Sequence, residues 1–176
     1  MNHQKTIILG FSIFILLVLV ILVGYGWKDT PSEKALSDIS KLTEAEDFDD
    51  ISLTIYYLSV YVETRTPLSV DDLIEFHSGK IVVDGSDVEE HIDLFKQISK
   101  DDLITVKKTS RVDARVYYVF ESEKEGKLFD VAMWSYKSNV FINGVEFEEN
   151  RIFFDAIIPF LTEDSKKDLA IHLISE

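Results

Sequence analysis

The hydrophobic pattern begins with an uncharged stretch between Lys5 and Lys28. From Thr6 to Trp27 the chain reads TIILGFSIFILLVLVILVGYGW, and it lacks the polar face that a helix packed on a soluble core shows. As a helix these residues would span about 33 Å, against a hydrocarbon core about 30 Å thick. The sequence therefore predicts a transmembrane helix at residues 6–27 after a short tail at residues 1–5.

A cleaved signal peptide is the alternative for this segment. Lys5 supplies a short basic region, and Gly24-Tyr25-Gly26 has the small-x-small pattern of a cleavage site. Signal cores run about 7–15 residues, so the greater length here favours an uncleaved anchor. Lys and Arg are nearly balanced around it, but a short tail before one long apolar helix is typical of a segment that exports the C-terminal part of its chain. We expect a single-pass protein of the cell membrane, with a cytoplasmic N-terminus and an extracytoplasmic domain.

After the anchor, the first pattern is that of a short helix. Thr30-Pro31-Ser32-Glu33 combines an N-cap, a proline at the first helical position and a glutamate three residues after the cap. A helix is predicted over residues 31–43, either as a stalk or as the first element of the domain. The acidic EAEDFDD run follows, so residues 28–50 are assigned to a stalk helix and linker and residues 51–176 to a globular domain.

The rest of the chain alternates between strand and helix periods. Strands are predicted at 51–62, 80–84, 103–107, 111–121, 128–136, 140–142 and from 145. In the first of these the apolar phase slips, which either a bulge near Tyr56-Tyr57 or burial on both faces would explain. Helices are predicted from Ser69 to a left-handed cap at Gly79, over 87–98, over 150–158 and from Thr162. Asn143-Gly144 predicts a type I′ hairpin. The expected fold class is α+β: a mostly antiparallel sheet, with a meander of three to four strands, packed by helices.

Composition and charge narrow the function classes. The chain has no cysteine, which excludes disulfides, Cys-ligated zinc and thiol catalysis. Its net charge of −14 repels phosphate backbones, so nucleic acid is not an expected partner, whereas a basic protein would be attracted. There is no HExxH, GxSxG, SxxK or phosphate-binding glycine loop. We expect no enzyme activity and no cofactor.

Two patterns weakly resemble metal sites. Asp87 and His91 stand four residues apart on a predicted helix, and residues 84–87 read DGSD. The second lacks the glycine at position 6 and the glutamate at position 12 of a calcium loop. A helix flank explains the first pattern and a turn with a helix cap explains the second, so no metal site is predicted.

One predicted sheet face carries residue types that are enriched in protein-binding hot spots. The candidate partner-binding residues are Arg111, Arg115, Tyr117, Trp134 and Tyr136. Two alternatives compete with binding: a cross-strand ion ladder between the arginines and Asp113, or a second packed layer formed by the helix at 31–43 or by the C-terminal helices.

The sequence thus favours a membrane-anchored, non-enzymatic protein-interaction domain. One concrete version is an immunity-type protein that neutralises a basic toxin at the membrane. The alternative is a bitopic assembly subunit of an envelope or secretion complex. An enzyme, or a small-molecule sensor with a pocket at Tyr117 and Trp134, is a third class.

Overall fold

The computed structural model describes residues 29–170, with a compact unit that begins at Pro31. Residues 1–28 and 171–176 lie outside the described part, and with them the predicted transmembrane helix at residues 6–27. Between residues 29 and 170, no helix combines the length and the apolar composition needed to cross a bilayer. The fold is therefore that of the segment after the predicted anchor.

The first helix, α1 (Pro31–Thr43), has the predicted bounds. Ala35, Ile39 and Leu42 lie on one face at helical spacing, and all three side chains are buried in the main core. The helix is thus the first element of the domain. The folded unit begins with it rather than at residue 51, because this apolar face is covered only when it packs on the sheet.

Six strands form one antiparallel sheet in the order β2-β1-β3-β4-β5-β6. They are β1 (Ile51–Tyr57), β2 (Gly79–Asp84), β3 (Val116–Ser122), β4 (Gly126–Met133), β5 (Val140–Ile142) and β6 (Val145–Phe147). The predicted meander is the run from β3 to β6, and β1 and β2 extend it on one side. The predicted α+β class with an antiparallel sheet is confirmed.

The remaining helices are short. They are α2 (Val70–Phe76), α3 (Gly85–Glu90), α4 (Ile92–Lys96), α5 (Ile152–Asp155) and α6 (Glu163–Asp168), with 3₁₀ turns at Lys100–Asp102 and Ile158–Phe160. A single helix over 87–98 is wrong, because His91 leaves the helical region at φ −114° and divides α3 from α4. The predicted helix over 150–158 is likewise shortened, and Pro159 lies in the 3₁₀ turn after it.

The main core lies between one face of the sheet and the helices on that side. Burial along β1 alternates strictly, with Ile51, Leu53 and Ile55 turned into this core. The rings of Phe95 on α4 and Phe120 on β3 meet edge to face, with centroids 5.0 Å apart. Packing of α1 and α4 on the sheet therefore forms the centre of the domain.

The opposite face of the sheet is covered by a second, smaller core. Its buried members are Leu58, Leu73, Ala114, Tyr117, Val119 and Ala132. The cover comes from the segment between β1 and β2, which carries α2, and from the irregular segment before β3; α1 and the C-terminal helices pack in the main core instead. As a result, all five residues from Val116 to Phe120 on β3 are buried.

Three local strand predictions are wrong. β1 has no bulge near Tyr56, since its pairing register with both neighbouring strands is continuous to Tyr57. The apolar positions change from odd-numbered to even-numbered residues because Leu58 lies beyond the strand and packs in the second core on the other face of the sheet. The strand predicted at 111–121 begins only at Val116. Residues 103–107 form an isolated bridge at Thr105 rather than a strand.

Two glycine predictions have opposite outcomes. The turn at Asn143-Gly144 has φ values of 49° and 77°, so the type I′ prediction is confirmed. Gly79 is not a left-handed helix cap but the first residue of β2. A β-carbon there would lie 2.3 Å from the hydroxyl of Tyr57, so close packing against that ring explains the glycine.

Candidate functional site

The end of β4 places Trp134 at the surface. The chain turns directly after Met133, and the hydroxyl of Ser138 accepts hydrogen bonds from the backbone nitrogens of Trp134 at 3.1 Å and Ser135 at 3.0 Å. The same hydroxyl donates to the Ser135 carbonyl at 2.7 Å. This closed turn fixes the backbone at Trp134, whose side chain is 52% exposed.

Trp134 borders an apolar groove of about 370 Å³. The apolar walls are Val60, Trp134, Tyr136, Phe154 and Leu169. The Tyr136 ring lies 6.2 Å from that of Phe154, and the backbone nitrogen of Val60 donates to the Asp168 carbonyl at 2.9 Å. The groove is therefore built where the end of β1, the end of β4 and the C-terminal helices meet.

Two basic side chains lie against the Tyr136 ring beside the groove. The Lys137 ammonium lies 5.1 Å, and the Arg151 guanidinium 5.9 Å, from the centre of the Tyr136 ring. Arg151 also bonds both carboxylate oxygens of Asp155 at 3.0 Å. The Arg151 charge is therefore paired, and the site combines an apolar floor with an aromatic ring and the Lys137 ammonium at its edge.

Tyr117, a predicted contact residue, lies in the second core instead. It is 7% exposed, and its ring stacks on that of Tyr56 with centroids 6.2 Å apart. Burial raises the pKa of its phenol, and the charges of Asp130 and Glu121 raise it further. Tyr117 is therefore a packing residue, separate from the groove.

The two arginines do not form the predicted ion ladder. Arg115 donates to the Val62 carbonyl at 2.6 Å and to the Thr64 hydroxyl at 3.0 Å, which ties down the loop after β1. Asp113 instead accepts a hydrogen bond from the Leu68 backbone nitrogen at 3.0 Å. Arg111 is exposed on the irregular segment before β3. The prediction fails because residues 111–115 are not part of a strand.

The acidic segment at residues 44–50 lies at the other end of β1, about 20 Å of strand from the groove. It lines a cleft of about 500 Å³, in which Lys124 lies 3.4 Å from both Asp47 and Asp50. The backbone nitrogen of Asp49 and then Lys124 lower the pKa of Asp47. Within residues 29–170, no group of three or more His, Asp or Glu side chains is arranged to hold a metal ion.

No family model, curated protein or solved structure matches this chain. The site is therefore interpreted from its own geometry.

The sequence interpretation missed the side chains that complete the groove. Val60 follows the end of β1, Phe154 and Leu169 belong to the C-terminal helical region, and none of them lies on the predicted sheet face. The only local signal is the run Val60-Tyr61-Val62, which is apolar, exposed and out of phase with the strand before it. Apolar residues just beyond the end of a strand can thus indicate a contact surface.

Proposed function

We propose that this chain is a single-pass, membrane-anchored and non-enzymatic domain that binds a partner protein through the groove beside Trp134. The observation that carries the proposal is an exposed tryptophan bordering an apolar groove, with Tyr136 in its wall and the Lys137 ammonium over the Tyr136 ring. Trp, Tyr and Arg are the residue types most enriched in binding hot spots. The transmembrane helix at residues 6–27 would keep this surface close to a membrane.

A protein partner fits the groove better than a small molecule does. The apolar surface continues past the groove through Val60, Tyr61 and Val62, all of which are exposed. A small ligand is usually enclosed over most of its surface. The groove is instead continuous with this wider apolar patch, which suits an apolar side chain that belongs to a macromolecule.

The acidic surface is assigned a separate role. The segment at residues 44–50 lies at the far end of β1, so it would attract a basic partner over a distance rather than form the floor of the groove. The acidic surface and the predicted anchor would suit an immunity-type protein that neutralises a basic toxin at the membrane. The alternative, a bitopic assembly subunit, would bind several membrane proteins instead of one soluble protein.

The test compares capture of partners by matched variants of the full chain. The wild type, Trp134→Ala and Phe76→Ala are each purified from native membranes in mild detergent, and the bound proteins are quantified by mass spectrometry. Phe76 is also a large exposed aromatic residue, but it lies on α2, outside the groove. It therefore controls for nonspecific loss of apolar surface.

The proposal predicts a protein that is retained by the wild type and by Phe76→Ala, and depleted at least roughly tenfold by Trp134→Ala, as truncation of a hot spot costs about 2 kcal/mol or more. Equal retention by all three chains would contradict the assignment of the groove. One soluble basic protein in the sensitive set favours the immunity-type version, and several membrane proteins favour the assembly subunit.

A further inference from the structure

The two edges of the sheet are treated differently. Beside β6, Thr105 forms a bridge with Phe147, and the backbone nitrogen of Glu148 donates to the Ile104 carbonyl at 2.7 Å, so this edge is covered. Among the described residues, β2 pairs with β1 alone. Its outer edge therefore presents backbone groups that a further strand can bond.

Hydrogen bonds at the end of β1 show which of its residues bond β2, and this in turn shows which residues of β2 face the open edge. The Tyr57 carbonyl accepts a hydrogen bond from Ser78 on the β2 side, and the Leu58 nitrogen donates to Arg115 on the β3 side, both at 2.8 Å. Because backbone groups alternate along an antiparallel strand, odd-numbered residues of β1 bond β2 and even-numbered residues bond β3.

The same alternation sets which residues of β2 face outward. Ile81 and Val83 lie opposite odd-numbered residues of β1, so their backbone groups turn inward. The backbone groups of Lys80, Val82 and Asp84 therefore turn toward the open edge. The side chains of these three residues share the sheet face away from the main core, and Val82 is 60% exposed.

The outward-facing residues carry opposite charges placed symmetrically about Val82. Lys80 stands two residues before Val82 and Asp84 two residues after it. In an antiparallel pair centred on Val82, each Lys80 would lie opposite the Asp84 of the other copy, and Val82 would lie opposite itself. We infer that two copies of this chain associate by joining their β2 edges into one continuous sheet.

The charged side chains of β2 are available to pair with a second copy of the chain. Asp84 forms no side-chain hydrogen bond with the helix that it precedes, and Lys80 only rests over the Tyr56 ring at 5.2 Å, so both charges can be paired across the junction. On the core side, a cleft of about 350 Å³ bounded by His91 and Phe160 opens beside the strand.

A lysine on an edge strand commonly serves to prevent pairing. Here the aspartate at the symmetric position would neutralise it in a second copy of the same chain, and cross-strand opposite charges favour pairing. The charge pattern therefore favours pairing with a second copy of this chain. Because the contact is twofold and closed, it limits the assembly to two copies. The inference does not rest on the function proposed for the groove.

The experiment uses the absence of cysteine from the natural sequence. Val82→Cys is introduced into the full chain in its membrane, and a mild oxidant is added. In the inferred pair the two α-carbons of residue 82 would lie about 5.5 Å apart, within the range of a disulfide. Val145→Cys, an exposed valine on β6, is the matched control for random collision in the membrane.

The expected result is a disulfide-linked dimer with Val82→Cys and little with Val145→Cys. Adding Lys80→Asp or Asp84→Lys should lower the dimer fraction roughly tenfold, because each creates two like-charge pairs, and combining both should restore it. Equal crosslinking at the two cysteines would overturn the inference. So would a Val82→Cys dimer that is insensitive to either charge change, or a double exchange that fails to restore it.

Discussion

Glu146 is a carboxylate on edge strand β6 that is only 2% exposed. It accepts hydrogen bonds from the Ser110 hydroxyl at 2.6 Å, from the Asn139 amide at 2.8 Å and from the Ser110 backbone nitrogen. Burial acts to raise the pKa of Glu146, but the bonds from Ser110 and Asn139 outweigh it and hold the pKa below the ordinary value. The Glu146 side chain thus links the segment before β3 to strand β6 through hydrogen bonds.

We expect Glu146→Gln to lower the free energy of unfolding by about 1–3 kcal/mol at pH 7, because a neutral amide accepts fewer of these bonds and weaker ones. Since the folded-state pKa is lowered, this stabilisation is complete above about pH 5 and is lost as the pH falls through that lowered pKa, below about 4.3. Denaturant unfolding at pH 7 and at pH 3.5 measures both effects.

Glu121→Gln is the control, because Glu121 is an exposed glutamate on β3. The account of Glu146 would be wrong if the two variants lost the same stability at pH 7. It would also be wrong if the difference between Glu146→Gln and the wild type were as large at pH 3.5 as at pH 7.

Single residues were predictable where their partners are close in sequence. Ser69, the predicted start of a helix, forms a capping box with Asp72, with bonds of 3.0 and 3.1 Å between side chain and backbone. Ser110 lies 36 residues from Glu146, and Arg115 lies 51 residues from the Thr64 hydroxyl that it bonds. Such pairs are set by the tertiary fold, and no local pattern in the sequence indicates them.

The helices and strands show where hydrophobic periodicity identifies an element and where it misleads. The bounds of α1 follow from a proline, a cap and three apolar positions, and these agree with its one buried face. On β3 the alternation is lost, because the second core buries the other face too. The ion ladder was expected because residues 111–115 continue the alternation of β3: Val112 and Ala114 pack in the second core although the segment is not a strand.

The packing of α1 gives a prediction for this element. Leu42→Ala should lower the free energy of unfolding by about 2–5 kcal/mol, because it leaves a cavity in the main core. Ser37→Ala, on the exposed face of the same helix, should change it by less than about 0.5 kcal/mol. Denaturant unfolding of the three chains measures this difference. Equal stability of all three would mean that α1 is a stalk outside the cooperative unit.

Within residues 29–170, the acidic cleft, the apolar groove and the open sheet edge lie at different places on the sheet. The acidic cleft lies at the start of β1, the groove at its end, and the open edge of β2 beside it. The sequence indicated the charge, the fold class and two of the groove residues, Trp134 and Tyr136. It did not indicate the groove itself, because one wall residue, Val60, lies far along the chain from the others, which come from the end of β4 and the C-terminal helices.

The proposal as a whole depends on the segment at residues 6–27. Its fifteen Leu, Ile, Val and Phe residues favour membrane insertion by about 5–9 kcal/mol. Arginines in place of Leu16 and Val20 would together cost about 5–7 kcal/mol at the bilayer centre, so they should cancel most of this preference. That double variant is the matched control for a fractionation experiment on the full chain.

Alkaline carbonate extraction of membranes that contain the full chain is the most direct measurement. We predict that the wild type stays in the membrane pellet after carbonate and is released only by detergent, while the Leu16→Arg, Val20→Arg variant moves substantially into the supernatant. Wild-type chain found wholly in the carbonate supernatant would contradict the membrane anchor, and with it a binding surface held at the membrane.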